Sequence, residues 1–210
     1  MDEQSTPAAG DRPGRREQNK AENRAALLKA ARSVFAEMGY GAAGVRDIVR
    51  RTDLASGTFY NYFKDKREIF GAVIGEISTE LLARHRRGRA KANSAEEFFR
   101  SHCAVYMNFV ADDPEMLAFG RKNVAAIRNL FDTPDLRLLA DALNEDIRSA
   151  MARGILPKVD VGYLIAILTG VVFETAVVMV SRDPVDPEGA AEFATRLLLG
   201  GIDNLPRRAG

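Results

Sequence analysis

Residues Gly57 to Lys66 read GTFYNYFKDK, with four aromatic rings in five positions and two lysines directly after them. On a helical wheel of about 100° per residue, Phe59 and Phe63 share one side, while Gly57, Thr58 and Asn61 point away from it. Tyr60 and Tyr62 fall about 80° to either side of that axis. Two rings can then hold the segment down while two phenols flank a small, hydrogen-bonding outward face. Small residues admit a close surface, and phenol hydroxyls with Lys64 and Lys66 suit phosphate oxygens. The competing reading puts all four rings in a core, which leaves Gly57 and Asn61 facing nothing.

Other chemistry is sparse. The 210 residues contain two histidines and one cysteine. His102 and Cys103 are neighbours, so on a helix their side chains diverge by about 100° and cannot form a nucleophile–base pair. No glycine-rich phosphate loop or metal-ligand cluster is present in the sequence. We therefore expect no catalytic residue, no metal and no cofactor. A helical enzyme and a non-DNA adaptor protein stand as alternative readings. A lone Cys103 forbids an intrachain disulfide and suits a reducing compartment.

Charge is distributed unevenly. The chain carries +1 overall, but Arg12 to Arg67 holds 13 basic and 6 acidic residues, about +7, against about −6 elsewhere. A basic quarter on a neutral chain points to a local polyanion surface, or to a solvated helix face. The N-terminal stretch MDEQSTPAAGDRPGRREQ has no apolar run. It is expected to be neither signal peptide nor anchor, and its Pro, Gly and charge content reads as a disordered tail over residues 1–19. Its Arg12, Arg15 and Arg16 form either a basic arm for a minor groove or a leader without a role.

The elements that must position these residues are helical throughout. Leu27, Ala31, Val34, Phe35 and Met38 form one stripe, which Gly39 ends. Val45, Ile48 and Val49 mark a short second helix, and Leu54, Phe59 and Phe63 a short third. Between them Thr52-Asp53-Leu54-Ala55 is the turn, with Asp53 placed to take a left-handed conformation. Phe70, Val73, Ile74, Ile77 and Leu81 give a long fourth helix ending near Arg89. Ser94 through Glu97 has capping-box spacing, Asp160 can cap, and Asp113-Pro114, Thr133-Pro134 and Asp186-Pro187 each set a cap before proline. The expectation is an all-α chain of about nine helices.

At this point a resemblance is plain. AARSVFAEMGY, VRDIVRRTDLASGTFYNYF and KREIF resemble the DNA-binding domain of the TetR family of bacterial transcriptional regulators over residues 24–70. The remaining residues resemble the family only in layout. The resemblance implies a helix-turn-helix domain over residues 20–66 and an effector-binding and dimerisation domain over residues 67–210. It implies that Arg46 reaches a phosphate or base edge. Ser56, Gly57 and Thr58 open a recognition helix in the major groove, Tyr60 and Tyr62 clamp phosphates, and Lys66 adds a phosphate contact at a helix start. Asn61, on the outward face, is placed to read adenine. The chain departs from the pattern at Gly44, Asp53 and Ala55, where a capping Ser or Thr, a turn Gly and a capping Ser are frequent; the last shifts the cap toward Ser56.

Val161–Val180 is apolar nearly all round, so it must be covered all round. It is also long enough to cross a bilayer, but Glu174 within it argues against that. The resemblance implies pairing with its twofold copy, together with a last helix over residues 187–205. The stripe read for that contact is Ala194, Leu197, Leu198, Gly201 and Leu205. His102, Tyr106, Asn123 and Glu174 are candidate effector-binding groups; each has a plainer core or surface reading. An unpaired buried Glu174 would be costly, so an internal partner is expected for it. Together these imply a cytoplasmic homodimeric repressor that binds a near-palindromic double-stranded DNA operator and is released by a small-molecule effector.

Overall fold

The computed structural model describes residues 12–89, 92–130 and 134–202. Among these the chain is all-α: α1 (Arg12–Ala42), α2 (Val45–Val49), α3 (Lys66–Arg89), α4 (Ala95–Ala111), α5 (Pro114–Arg128), α6 (Pro134–Ala152), α7 (Val161–Val180) and α8 (Pro187–Ile202), with a 3-10 helix at Ser56–Asn61 between α2 and α3.

The helix starts follow the sequence signals. Ser94 Oγ accepts from the Glu97 N–H at 3.1 Å, and Asp113 Oδ1 accepts from the Glu115 N–H at 2.9 Å just before Pro114. Asp160 and Asp186 accept from the Tyr163 and Gly189 N–H groups in the same way. Each satisfies a helix-start donor with no intrahelical partner. Thr133 lies outside the described residues. α1 begins at Arg12, so the disorder expected through residue 19 does not extend that far; residues 12–19 are helical.

Two hydrophobic cores result. The N-terminal core gathers Leu27, Ala31, Val34 and Phe35 of α1, Ile48 of α2, Phe59 and Phe63, and Ile69, Phe70, Val73 and Ile74 of α3. The second core is built from α4, α6, α7 and α8 around Phe99, Met107, Ile147 and Leu168. Burying each such side chain contributes about 1.5–3 kcal/mol. The packing does not divide at Lys66. Phe119 and Leu130, from α5 and its end, belong to the N-terminal core, and the Phe119 ring stacks on Phe70 with centroids 5.8 Å apart.

The seam between α1 and α5 is polar as well as apolar. Gly39 has φ +76° and ψ 158°, a region for glycine alone, and a Cβ there would lie 3.2 Å from the Lys122 carbonyl. The kink opens the α1 backbone at Tyr40. The buried Asn123 side chain fills the opening: its Oδ1 accepts from the Tyr40 N–H at 2.7 Å, and its Nδ2 donates to the Phe35 and Phe119 carbonyls at 3.0 and 2.8 Å. Lys122 Nζ donates to the Glu37 carbonyl beside it, and Arg32 pairs with Asp113 at 2.6 Å. Asn123 was a candidate effector group. The structure commits every face of its amide to this seam.

Candidate nucleic-acid interface

The aromatic segment forms a 3-10 helix at Ser56–Asn61 rather than an α-helix. At three residues per turn, side chains three apart eclipse. Phe59 is fully buried and Phe63 nearly so, which pins the segment to the N-terminal core. Ser56, Gly57, Tyr60 and Asn61 are exposed, and Thr58 is half-buried. Gly57 and Asn61 are exposed as the wheel predicts, Thr58 is only partly so, and the phenols are not equivalent. Tyr60 is 63% exposed and leans edge-on against Phe59. Tyr62 is half-buried against the core and lines a groove between α1 and α3 with Arg24 and Glu68.

The preceding turn is made differently from the sequence reading. No residue other than glycine has positive φ among the described residues, so Asp53 is not left-handed. Thr52 closes the turn instead. Its hydroxyl donates to the Val49 carbonyl at 2.9 Å and accepts from the Leu54 N–H at 3.3 Å. The side chain mimics one further helical turn, which removes the need for a strained residue. Arg51 braces the turn from outside through a two-pronged pair with Glu37, which holds that carboxyl below its usual range.

Caps are equally local. The 3-10 helix has Ala55 at its N-cap with no side-chain cap, so the Ser56 hydroxyl is not spent on capping. Gly44 caps α2 through its backbone, donating to Asp47 Oδ2 at 2.9 Å. That places Arg46, exposed, in the first turn of α2.

Lys66 differs from expectation. Its ammonium donates to the Tyr40 and Ala43 carbonyls at 2.7 and 2.8 Å and lies 4.5 Å from the Tyr40 ring centroid. The carbonyls at the kinked end of α1 lack helical partners and capture the nearest cation. Lys66 therefore joins α1 to α3, and exposed Lys64 and Arg67 are the cations left at this edge.

Residues 27–73 match the family profile for bacterial regulatory proteins of the tetR family. The N-terminal domain is that of the tetR family. The chain is 24% identical to the HTH-type transcriptional activator FasR of Mycolicibacterium smegmatis over 204 residues, covering 95% of this chain and 91% of that one. It is 33% identical over 88 residues to an HTH-type transcriptional repressor of Mycobacterium tuberculosis, covering 42% of this chain and 46% of that one. The fold is similar to that of FadR from Bacillus subtilis, solved in complex with stearoyl-CoA, with a TM-score of 0.72 at 22% identity over 84% of this chain and 98% of that one. The tetR-type match is thus confined to residues 27–73, while the similarity to a transcriptional activator runs over most of the chain.

The remaining candidates fall on the helices that follow. His102 lies against His85 with the rings tilted by 31° and their centroids 4.8 Å apart, where α4 meets α3. Burial pushes the Tyr106 phenol up to about 12. Burial also pushes the Cys103 thiol up to about 11, the reverse of what a nucleophile needs. Glu174 is not buried: it is exposed and pairs with Arg128 at 2.6 Å. Neither the α1/α3 groove nor the small cleft at Ala92 and Arg153 includes any of the four effector candidates.

Of the dimer candidates, Ala194 and Leu198 turn inward, into the core of their own chain. Leu197 is 57% exposed and Gly201 is exposed, while Leu205 lies outside the described residues. The outward apolar residues are instead Phe193 and Leu197 on α8 and Tyr163, Ile167 and Val178 on α7. Phe193 was not singled out from the sequence; its spacing of four from Leu197 is the signal that marks it.

Proposed function

We propose that this chain is a dimeric repressor that grips a near-palindromic DNA duplex with two copies of the 3-10 recognition element and lets go when a small-molecule effector binds. The observation that carries the reading is the outward face of that element. Ser56, Gly57, Tyr60 and Asn61 stand exposed on a segment that Phe59 and Phe63 fix rigidly. Small and hydrogen-bonding groups on a rigid platform fit a major groove. Asn61 and Thr58 read base edges, and Tyr60, Arg46 and Lys64 hold phosphates, with Tyr62 in support. Lys66 acts through the fold. Residues 20–66 form the DNA-binding unit and residues 67–210 the effector and dimer unit, with α5 welded to both. Function on chromosomal DNA places the chain in the cytoplasm.

Dimerisation is supported by the outward faces of α7 and α8. Tyr163, Ile167, Val178, Phe193 and Leu197 are large apolar residues in water within one chain. A second copy of the same surface would cover them around a twofold axis, which sets two recognition elements on two half-sites. The effector class is supported by FadR, whose fold this chain shares and which binds stearoyl-CoA. A long acyl chain would enter by parting the helices of the second core, where Met107, Phe109, Met116 and Leu168 pack with Tyr106 against them.

The test is selection of duplexes from a random-sequence pool by the full chain. The expected outcome is a near-palindrome whose binding weakens steeply with salt and is reversed by stearoyl-CoA. Selection of no sequence, or binding indifferent to salt, sinks the reading. A reporter placed behind the selected site should fall in output; a rise would make the chain an activator.

A further inference from the structure

α1 has two unlike halves. From Leu27 to Ala36 its apolar residues are buried; Met38, expected on the same stripe, is 43% exposed. From Gly14 to Ala26 every residue is exposed except the half-buried Asn23. Thirteen residues of helix stand off the domain without a packed face, although most helices owe their stability to one. This half carries Arg15, Arg16, Lys20 and Arg24 against Glu17 and Glu22. Arg16, Lys20 and Arg24 are four apart and form one stripe. Gln18 Nε2 donates to Glu22 at 3.1 Å on another side of the helix.

Position gives the stripe its meaning. The Arg24 guanidinium lies 5.5 Å from the Phe63 ring centroid and shares a groove with Tyr62. Tyr62 and Phe63 directly follow the recognition element. The extension therefore leaves the domain beside the end of the segment that faces DNA, and Arg15 to Arg24 reaches about 14 Å beyond it at 1.5 Å per residue.

We propose that the exposed N-terminal half of α1 is a second, sequence-independent DNA contact, laying Arg15, Arg16 and Lys20 on phosphates that flank the half-site. The inference rests on the DNA-binding reading above. A helix about 10 Å across does not enter a minor groove about 6 Å wide, so the contact is to backbone and not to base edges. It extends the footprint and adds to affinity on every sequence alike.

The test uses the full chain and an Arg15→Gln/Arg16→Gln/Lys20→Gln variant. All three positions are exposed, so the variant should melt with the parent. On the duplex selected from the random pool, with flanking base pairs kept, the slope of log affinity against log salt should become shallower by about 2–3 per protomer, with base preference unchanged. On a duplex trimmed to the two half-sites, parent and variant should bind alike. An unchanged slope on the long duplex, or an equal loss on both lengths, overturns the proposal, as does an unchanged slope with weakened binding to phosphatidylserine vesicles, which would make the stripe a membrane contact. If Asn61→Ala shifts base preference while the triple variant binds as the parent, the extension alone fails. If the parent binds no duplex, the DNA reading fails and takes the extension with it.

Discussion

Tyr60 and Tyr163 are both exposed phenols on helical segments, 63% and 75% open to water, yet their neighbours differ in kind. Beside Tyr60 in the chain stand Ser56, Gly57, Asn61 and Lys64, all exposed, and Arg46 is exposed on α2. On the helix of Tyr163 the same stripe carries Ile167, Gly170 and Val178, and α8 adds Phe193 and Leu197. The first surface is small, polar and cationic, suited to a hydrated polyanion. The second is broad and apolar, suited to a copy of itself. An exposed aromatic ring says little until its neighbours are counted, and the two surfaces should respond oppositely to salt and to dilution.

The largest effect is expected where α8 turns from one face to the other. Leu198 is buried in its own core, so Leu198→Arg should cost about 3–5 kcal/mol and leave little folded protein. Leu197 is one residue earlier and exposed. Leu197→Arg should fold with stability of the single chain within about 0.5 kcal/mol of the parent, yet sediment as a monomer and lose duplex affinity. Denaturant melts with sedimentation separate the two. A Leu197→Arg dimer would remove α8 from the second surface.

Next is the seam that binds the two units. Asn123→Ala strands the Tyr40 N–H and two carbonyls, and buried orphan groups cost about 1–3 kcal/mol each. The expected loss is about 2–4 kcal/mol, read as a lower denaturation midpoint. A loss below about 1 kcal/mol would mean that water replaces the amide.

Smaller effects belong to the recognition face. Tyr60→Ala should weaken binding to all duplexes about tenfold or less and leave the melt unchanged, since the ring is exposed. Tyr62→Ala should instead lower stability by about 1–2 kcal/mol through lost packing. Equal behaviour of the two variants would erase the asymmetry seen between the phenols.

The N-terminal unit was legible because its signals are local. Phe59 and Phe63 fix which way the segment faces whether the turn is α or 3-10, so Tyr60 and Asn61 come out exposed either way. Asp53 was misread because the hydroxyl of its neighbour Thr52 does the turning. The outward face of α8 was misread because its apolar arc is wide: Leu197 and Leu198 are about 100° apart, and periodicity cannot say which of them faces inward. That choice is made by α4, where Arg100 pairs with Glu192 at 2.5 Å and Phe99, Cys103 and Met107 share one core with Ala194 and Leu198. Asn123 was misread because its partners lie on α1, more than eighty residues away. The clue was Gly39, whose kink leaves a backbone N–H that some polar side chain must meet.

The smallest effect sharpens the second surface most. Glu174 lies on the α7 stripe, four residues after Gly170 and four before Val178, and pairs in the open with Arg128, whose guanidinium also sits 5.6 Å from the Phe173 ring centroid. An exposed pair contributes about 0–1 kcal/mol, so Glu174→Gln should barely move the melt of dilute protein. If a second copy covers α7, the same pair is enclosed in the dimer and its loss is felt there. The change in melting temperature between Glu174→Gln and the parent should then grow as protein concentration rises. A difference that is the same at all concentrations would place Glu174 outside the interface. A variant that melts normally and binds DNA, but is no longer released by stearoyl-CoA, would instead assign the carboxylate to the effector.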